Sequence, residues 1–421
     1  MRRLLSFAIF AVSFVLVLFF SVTGYAQTFR GAINGSVTDP SGAVVAGASV
    51  KAANTATGIA LSTISTSGGA FAFQDIPPGV YKITVTASGF STSTVDNVNV
   101  VAGSVYTLPV QLKVGQSATV VEVSAAELTV DTTTVTQSDT IPSASLQQIP
   151  LNGRDFSQLI AVTPGYGGYS VGGFGSLNGT RANQVNWQVD GTDNNDFWHN
   201  IPAINQGGVS GIAGTVLPID AVDEFSAQTQ SNAETGRNAG GTVNLVIKSG
   251  TNQLHGSAYY YNRNEFYAAT SPFFTPSPQF PKAPELRNQN YGFTVGAPII
   301  KDRTFFFLGF EKQNYIFGLT GLATEPSDAW VANARAKLAP GAESTLSDTL
   351  LATLWPSAIR NLPANTSNYF ATVPGTGYSY NEVGKIDHNF NEKNHLLFHF
   401  FYGQGNQTQP PGASLALATA S

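Results

Sequence analysis

Cysteine is absent from the 421 residues of this chain, which excludes disulfide bonds, zinc–thiolate sites and a lipid-modified N-terminal cysteine. Charged residues are scarce, at 11% against about 25% in ordinary soluble domains. The net charge of -5 provides no basic surface, so nucleic acid is not an expected partner. Glycine, with 42 residues, and aromatic residues, at 11%, take the place of charge. This composition favours β-structure, part of which faces surroundings less polar than water.

The first residues carry an export signal. Two arginines precede an uncharged apolar run from Leu4 to Phe20, and the small residues Gly24 and Ala26 stand just before Gln27. We therefore expect residues 1–26 to be a cleaved signal peptide. An uncleaved membrane helix is the alternative, because the apolar run approaches the length that spans a bilayer.

Residues 27–114 alternate with a period of two between Pro-Ser-Gly, Ser-Gly-Gly and Pro-Pro-Gly turns, which predicts an antiparallel β-sandwich. The segments GSVTDPSGAVVAGASV and GAFAFQDIPPGVYKITVTASGF resemble the carboxypeptidase regulatory-like (transthyretin-like) family. That resemblance implies a β-sandwich without catalytic residues. The predicted core comprises Val37, Val50, Phe71, Phe73, Tyr81, Ile83 and Val85.

Three later segments read LNGRDFSQLIAVTPG, VNWQVDGTDNND and VDEFSAQTQSNAETGRNAGGTVNLVIKSGTNQLHGSAYYYNR. They are similar to the plug domain and first barrel strand of Oar-like TonB-dependent outer-membrane receptors. The resemblance implies a mixed α/β plug at residues 141–250, and the local pattern predicts a short helix at Asp155–Ile160 and strands at Val185–Asp190 and Gly241–Lys248. The plug motif residues are Asn152, Gly153, Arg154, Asp190, Gly191, Gly240 and Gly241.

Residues 115–140 are rich in Thr, Ser and Val without lasting periodicity and are predicted to be a linker. In TonB-dependent receptors, a short extended segment before the plug pairs with an edge strand of the periplasmic energy-transducing protein. Strand addition requires a free backbone rich in β-branched residues. The resemblance places such a TonB box at Thr119, Val120, Val121, Glu122 and Val123. Chance occurrence of these residues in a Thr/Val-rich linker is the alternative.

Residues 251–421 show alternating apolar rows, which predict the first strands of a transmembrane antiparallel β-barrel. Alternation alone also fits a soluble sandwich, and the plug resemblance favours the barrel. The polar segment Asn314–Gly377 is predicted to be an extracellular loop with one helix at Ser327–Leu338. Predicted lipid-facing residues are Phe293, Phe306, Leu308, Phe398 and Phe400, whereas Thr294, Gly296 and His399 are predicted to face the lumen or the plug.

The number of residues after the plug is small for this family. A barrel of about 22 strands requires several hundred residues, so we expect the chain to be the N-terminal portion of a receptor.

Two motifs contain residue types that bind metals, but neither has the full pattern of a known metal site. Asp190, Asp193 and Asp196 step by three, which does not match an EF-hand loop, and Asx-turns explain them more simply. His395 and His399 have the spacing of a zinc motif but lie in a strand pattern without its general base. We therefore assign no catalytic, cofactor or metal residues. The few charged plug residues are expected to pair with the barrel wall: Arg154, Asp190, Glu224, Glu234, Arg237 and Lys248.

The resulting fold class is mainly β, with a sandwich, a mixed α/β plug and the start of an outer-membrane barrel. The predicted function is energised transport of an unidentified ligand across the outer membrane of a Gram-negative-type cell. Expected partners are a TonB-like periplasmic energy-transducing protein, outer-membrane lipid and the ligand. The alternative is a non-transporting surface or adhesion protein, and a secreted carbohydrate-active enzyme is disfavoured because no acid/base pair stands out.

Overall fold

A computed structural model describes most of the chain, and the predicted signal peptide lies outside the described residues. The described residues are 30–115, 120–124, 137–151, 154–169, 175–196, 200–202, 217–230, 239–270, 276, 283, 285–366, 368–392 and 394–408. No helix within these ranges combines the length and the apolar composition needed to cross a membrane.

The first part of the chain folds into two facing β-sheets, which we call the sandwich domain. Its strands are β1 Gly31–Thr38, β2 Ser49–Asn54, β3 Ala60–Ile64, β4 Ala70–Ile76, β5 Gly79–Thr86, β6 Thr92–Val100, β7 Val105–Gln111 and β8 Val120–Ser124. One sheet has the order β4-β1-β7, and the other has the order β3-β2-β5-β6-β8. The predicted sandwich core is confirmed, because all seven of its residues lie in one buried cluster between the sheets.

The alternation within the sandwich sets which substitutions are costly. Ile83 on β5 is fully buried, whereas Ile64 at the end of β3 is 66% exposed. We expect Ile83→Val to lower the free energy of unfolding by about 0.5–1.5 kcal/mol, because it leaves a methyl-sized cavity. The matched change Ile64→Val is expected to cost less than about 0.5 kcal/mol. Urea unfolding of the fragment 27–124 measures both, and equal losses would contradict the assigned core.

The predicted linker is partly structured, which corrects the expectation for residues 115–140. Strand β8 lies in this segment and pairs in parallel with Thr92–Asp96 of β6. A further strand, β9 Gln137–Pro142, begins before its end. Both segments carry β-branched residues, and β8 covers a sheet edge that would otherwise present unpaired backbone groups.

The next part of the chain forms what we call the middle domain. Besides β9, its strands are β10 Tyr166–Tyr169, β11 Gly175–Leu177, β12 Asn186–Val189, β13 Thr192–Asp193, β14 Val222–Gln230 and β15 Thr242–Ile247. Five of them form a mixed sheet in the order β13-β12-β15-β14-β9, and β10 pairs with β11. The predicted strands are confirmed as β12 and β15, and the predicted short helix is the 3₁₀ helix Phe156–Val162, capped by the Asp155 side chain. The remaining helical turns are Ser143–Leu146, Ala182–Gln184 and Ile219–Ala221.

The last part of the chain forms a five-stranded antiparallel meander, which we call the wall sheet. Its strands are β16 His255–Asn264, β17 Leu286–Ile300, β18 Thr304–Ala323, β19 Tyr369–Asn391 and β20 Asn394–Thr408. The turns between β17 and β18 and between β19 and β20 are short, whereas the other two connections are long. In outer-membrane barrels the short turns are periplasmic and the long loops extracellular.

The predicted extracellular loop is shorter than expected. Strands β18 and β19 pair from Thr304 opposite His388 to Ala323 opposite Tyr369, which leaves residues 324–368 as the loop. The polar composition concealed the strand pairing, because backbone hydrogen bonds between neighbouring strands do not require apolar side chains. The predicted helix is confirmed as Asp328–Ala336, with Ser327 as its N-cap. The loop also contains helices Thr345–Leu354 and Ser357–Arg360.

The two faces of the wall sheet differ as the alternation predicts. On the outer face, Phe293, Leu308, Phe398 and Phe400 are 48–55% exposed, and Phe306 is partly exposed. On the inner face, Thr294 is buried and bonds Ser257. Phe307 and Val383, also on the inner face, belong to the same buried cluster as the core of the middle domain.

Candidate functional site

The inner face of the wall sheet holds the middle domain through two buried ionic clusters. In the first, Asp190 Oδ2 lies 3.0 Å from Lys385 Nζ on β19 and 2.6 Å from His399 Nε2 on β20. The side chain of Asp190 is fully buried, and that of Lys385 is 3% exposed. Lys385 also donates to the Ile247 carbonyl at 2.9 Å. We call Asp190, Lys385 and His399 the aspartate cluster.

A tight hairpin turn places Asp190 at this position. Strands β12 and β13 are joined by Asp190-Gly191 alone, with φ angles of 46° and 77°. Two-residue hairpin turns with both φ angles positive favour an Asp-Gly sequence. The Ile247 N–H donates to Asp190 Oδ1 at 3.0 Å, and the Gly191 N–H donates to Asn244 Oδ1 at 3.0 Å. The sequence motif therefore fixes the direction in which the carboxylate points.

The charge of Asp190 depends on its partners. Burial opposes ionisation of this carboxyl group, but the Lys385 ammonium and the hydrogen bond with His399 outweigh it. The pKa of Asp190 consequently lies below its ordinary value of 3.8. An ionised carboxylate without these partners would carry a large desolvation penalty.

The second cluster is centred on Arg154, which has a left-handed φ of 58°. Its guanidinium pairs with Asp220 of the middle domain, and its Nε lies 3.4 Å from Glu311 Oε2 on β18. The guanidinium carbon lies 4.0 Å from the ring centroid of Tyr261 and 5.2 Å from that of Tyr259, both on β16. Arg154 therefore contacts two wall strands at once, by ion pairing and by cation–π contact.

The glycines of the predicted plug motif are explained by close backbone approach. A Cβ at Gly240 would lie 2.7 Å from the Gln184 carbonyl oxygen, and Gly241 has a φ of +92°. Larger residues would separate the chain before β15 from Gln184 in the helical turn Ala182–Gln184 and from Gln228 on β14. Asn152 and Gly153 lie outside the described residues.

The other predicted plug charges have different outcomes. Glu224 was expected to pair with the wall, and this expectation is wrong: its Oε2 accepts the Ala102 N–H of the sandwich domain at 2.8 Å. Glu224 lies on the part of β14 that faces the sandwich. Burial lowers the pKa of Lys248, and the Asp223 carboxylate, which is also in the middle domain, opposes this shift. Glu234 and Arg237 lie outside the described residues.

The predicted TonB box is only partly described. Thr119 lies outside the described residues, whereas Val120 to Val123 belong to β8. One edge of this strand pairs with β6, and β8 is the outermost strand of its sheet. The backbone is therefore less free than the sequence predicts, and among the residues that the structure describes no strand pairs with its other edge.

The residues considered for metal binding have structural roles. Asp193 Oδ1 accepts the Asn195 N–H at 3.0 Å, which confirms an Asx-turn. Asp196 Oδ2 accepts the Ile201 N–H at 3.2 Å. Asp190 differs from the Asx-turn prediction, because it bonds the wall. Of the two histidines, His399 joins Asp190, while His395 lies near the sandwich.

A cavity of about 400 Å³ lies between the sandwich domain, the middle domain and the short-turn end of the wall sheet. Its lining includes Lys385 of the wall sheet, Asp223 of the middle domain, and Pro78 and Tyr81 of the sandwich domain. Asn252 connects the sandwich domain to the turn between β17 and β18. Its backbone N–H donates to the Ala56 carbonyl at 3.0 Å, and its side chain donates to Asp302 at 2.7 Å. The sandwich domain therefore contacts the short-turn end of the wall sheet.

Sequence reasoning did not find the wall partners Lys385, Glu311, Tyr259 and Tyr261. A lysine or glutamate within an otherwise apolar alternating strand is the only signal that could have drawn attention to two of them. The distance along the chain from Asp190 to Lys385 leaves no local pattern to read.

Comparisons with known proteins agree with this architecture. Residues 32–113 match the model of the carboxypeptidase regulatory-like domain, and residues 246–421 match that of the outer membrane beta barrel domain. The chain is 25% identical over 260 residues to the TonB-dependent transporter Oar of Myxococcus xanthus, covering 59% of this chain and 23% of that protein. The resemblance and the fold class predicted from the sequence are confirmed.

Solved structures similar to the chain include two receptors. The siderophore receptor PirA from Acinetobacter baumannii is 17% identical, with a TM-score of 0.38, over 65% of this chain and 32% of that one. A ferric enterobactin receptor, PfeA, from Pseudomonas aeruginosa is 16% identical, with a TM-score of 0.37, over 64% of this chain and 33% of that one. The chain thus spans about a quarter of the curated relative and a third of these structures.

Proposed function

We propose that the chain belongs to an Oar-like TonB-dependent outer-membrane receptor and forms the gated part of an energised transporter. In this proposal the middle domain is the plug, the wall sheet is the first part of the barrel, and β8 receives the periplasmic energy-transducing protein. The relatives are transporters and receptors, and we propose that this chain likewise performs no enzymatic step. Ligand identity and the direction of transport stay open.

The observation that carries the proposal is the polar character of the contact between the middle domain and the wall. Arg154 reaches the buried Glu311 on the wall, and Asp190 reaches the buried Lys385 and the partly buried His399. Buried ion pairs add little net stability over apolar packing, but they fix one arrangement and are costly to break singly. Such contacts suit a domain that is held in a single position and is released as a unit.

In this proposal, the periplasmic partner adds a strand to β8, and its pull on β8 supplies the force for that release. The segment Val120–Ser124 pairs with β6 on one edge, and β-augmentation uses the backbone of the other edge. Proline removes a backbone N–H and disturbs the extended ladder.

We expect Val121→Pro to abolish contact with the energy-transducing protein. The test uses the full-length receptor with Glu122→Cys as its sole thiol and a cysteine series on the edge strand of the periplasmic partner. Disulfide cross-linking should occur with the parent and fall to background with Val121→Pro, because the partner strand loses its ladder.

Thr132→Pro is the matched control, since it lies in the same Thr-rich segment outside the five candidate residues. Cross-linking should be retained in this variant. Equal cross-linking in the parent and in Val121→Pro would place the energy-coupling segment elsewhere. No cross-linking in the parent would favour the surface or adhesion protein.

A further inference from the structure

Strand β6 connects two regions that the proposed function requires to communicate. Its first residues, Thr92–Asp96, pair with β8. Its last residue is Val100, and the chain then turns at Ala102 and Gly103 toward the middle domain. A single strand therefore pairs at one end with β8, the proposed attachment segment for the periplasmic partner. At its other end it leads to the contact with the middle domain.

The turn after β6 is bonded to β14. The Ala102 N–H donates to Glu224 Oε2 at 2.8 Å, and Ser226 Oγ donates to the Ala102 carbonyl at 3.4 Å. Thr140 Oγ1 on β9 donates to Ser226 Oγ at 3.2 Å. Ala102, Ser226 and Glu224 are 1%, 2% and 7% exposed. The contact is thus a buried, hydrogen-bonded attachment.

Close packing supports the same contact at the next residue. Gly103 has a φ of +71°, and a Cβ in its place would lie 2.5 Å from Gln228 Nε2 on β14. Three alternate residues of β14 therefore face one two-residue turn of the sandwich domain.

Two routes lead from β8 to the same pair of strands. Along the chain, β8 is followed by β9, which pairs with β14 from Gln230 opposite Gln137 to Glu224 opposite Pro142. Through the sandwich, β8 is bonded to β6, and the turn after β6 is bonded to β14. A displacement of β8 would reach the β9–β14 pair by both routes.

We propose that the sandwich domain is a coupling element, which holds β8 at one end of β6 and the middle domain at the other. Glu224 and Ser226 are the positioning residues of this attachment. The inference rests on the proposed function, in which a partner strand adds to the outer edge of β8. That strand would continue the sheet β3-β2-β5-β6-β8, so that a pull on it moves Ala102 together with β6.

The protonation of the Glu224 carboxyl group makes the strength of this attachment depend on pH. Burial raises the pKa of Glu224 to about 7; the Ala102 N–H opposes this rise, and the neighbouring Asp223, the charged group acting on it, adds to it. A carboxyl group whose pKa is raised favours the docked state most at low pH. Its contribution is complete below its ordinary value of 4.5 and is lost as the pH rises through about 7.

The experiment follows β14 in cells that express the full-length receptor. Ala227 on β14 is fully buried, and Ala227→Cys in a background without other cysteines provides a thiol reporter. Labelling by a small maleimide is compared in energised cells and in cells treated with a proton uncoupler. The parent should label only when energised, because remodelling of the β9–β14 pair exposes the thiol.

The double variant Glu224→Ala, Ser226→Ala should lose this response and label at the uncoupled level. Glu224→Gln should retain it, because the amide oxygen still accepts the Ala102 N–H. The matched control is Glu343→Ala with Ser62→Ala, which replaces exposed residues of the same types and should behave as the parent. From about pH 6 to about pH 8 the response of the parent should fall relative to Glu224→Gln.

A double variant that labels like the parent would overturn the proposal. It would show that the response reaches β14 along the chain from β8 to β9, without the sandwich domain. Loss of the response in Glu224→Gln as well as in the double variant would show that any change at Glu224 disturbs the fold, and would also overturn it. A parent whose labelling ignores the uncoupler would instead refute the proposed function, and the coupling element with it.

Discussion

Replacing Asp190 by alanine is expected to destabilise the middle domain within the receptor by about 3–5 kcal/mol. The substitution leaves the Lys385 ammonium, 3% exposed, without its carboxylate. The measurement is urea unfolding of the full-length receptor in detergent, in a variant whose other tryptophans are replaced by Phe, followed by fluorescence of Trp187, which is fully buried in the middle domain. At roughly 1–3 kcal/mol per M of urea, the midpoint should fall by at least about 1 M.

Two controls separate the ion pair from other effects of the substitution. Asp193→Ala removes an exposed carboxylate from the same hairpin and should cost less than about 1 kcal/mol, since its hydrogen bond with the Asn195 N–H is exposed. The double variant Asp190→Ala, Lys385→Met should recover part of the loss, because the Lys385 ammonium is then no longer buried without the Asp190 carboxylate. If it were as unstable as Asp190→Ala, the buried charge would not be the cause.

The pH dependence of this contribution has the opposite sign to that of Glu224. The pKa of Asp190 lies below its ordinary value of 3.8, so its stabilisation is complete above that pH. It is lost as the pH falls through the lowered pKa. The difference in midpoint between the parent and Asp190→Ala should therefore shrink in strong acid.

Leu308→Arg is expected to reduce the folding of the receptor into membranes, by about 2–4 kcal/mol if the residue lies near the bilayer midplane. Leu308 is on the outer face of β18 and is 48% exposed. Arginine at this position would meet hydrocarbon instead of water. Folding of the full-length receptor into phospholipid vesicles, measured by the heat-dependent shift in gel mobility, gives the free energy change.

The matched control is Leu346→Arg in the loop helix Thr345–Leu354. Leu346 is 68% exposed, so the same substitution on a similarly exposed leucine differs only in its surroundings. We expect Leu346→Arg to fold like the parent, within about 0.5 kcal/mol. Equal tolerance of both arginines would mean that the outer face of the wall sheet is not in contact with lipid.

The sequence predicted the elements with strong local signals. Alternation over Tyr81, Ile83 and Val85 identified the buried face of β5, and the same alternation identified Leu308 and Phe400 as outward-facing. Turn residues were equally readable, because Asp190-Gly191 fits a backbone that requires two positive φ angles. The pairing of β8 with β6 and the long ends of β18 and β19 were missed, since strand pairing depends on a neighbouring edge that supplies hydrogen bonds, and the local sequence does not reveal that edge.

By itself, then, the sequence determined which residues lie inward and which outward within each strand, because a period of two follows from the geometry of a single strand. It also determined the order of sandwich, middle domain and wall. Only the tertiary structure decided that Asp190 meets Lys385, that Arg154 meets Glu311 and that Glu224 turns to Ala102. These pairs join residues more than 100 positions apart, and which charge faces which is set by the packing of separate sheets, which leaves no trace in the local pattern.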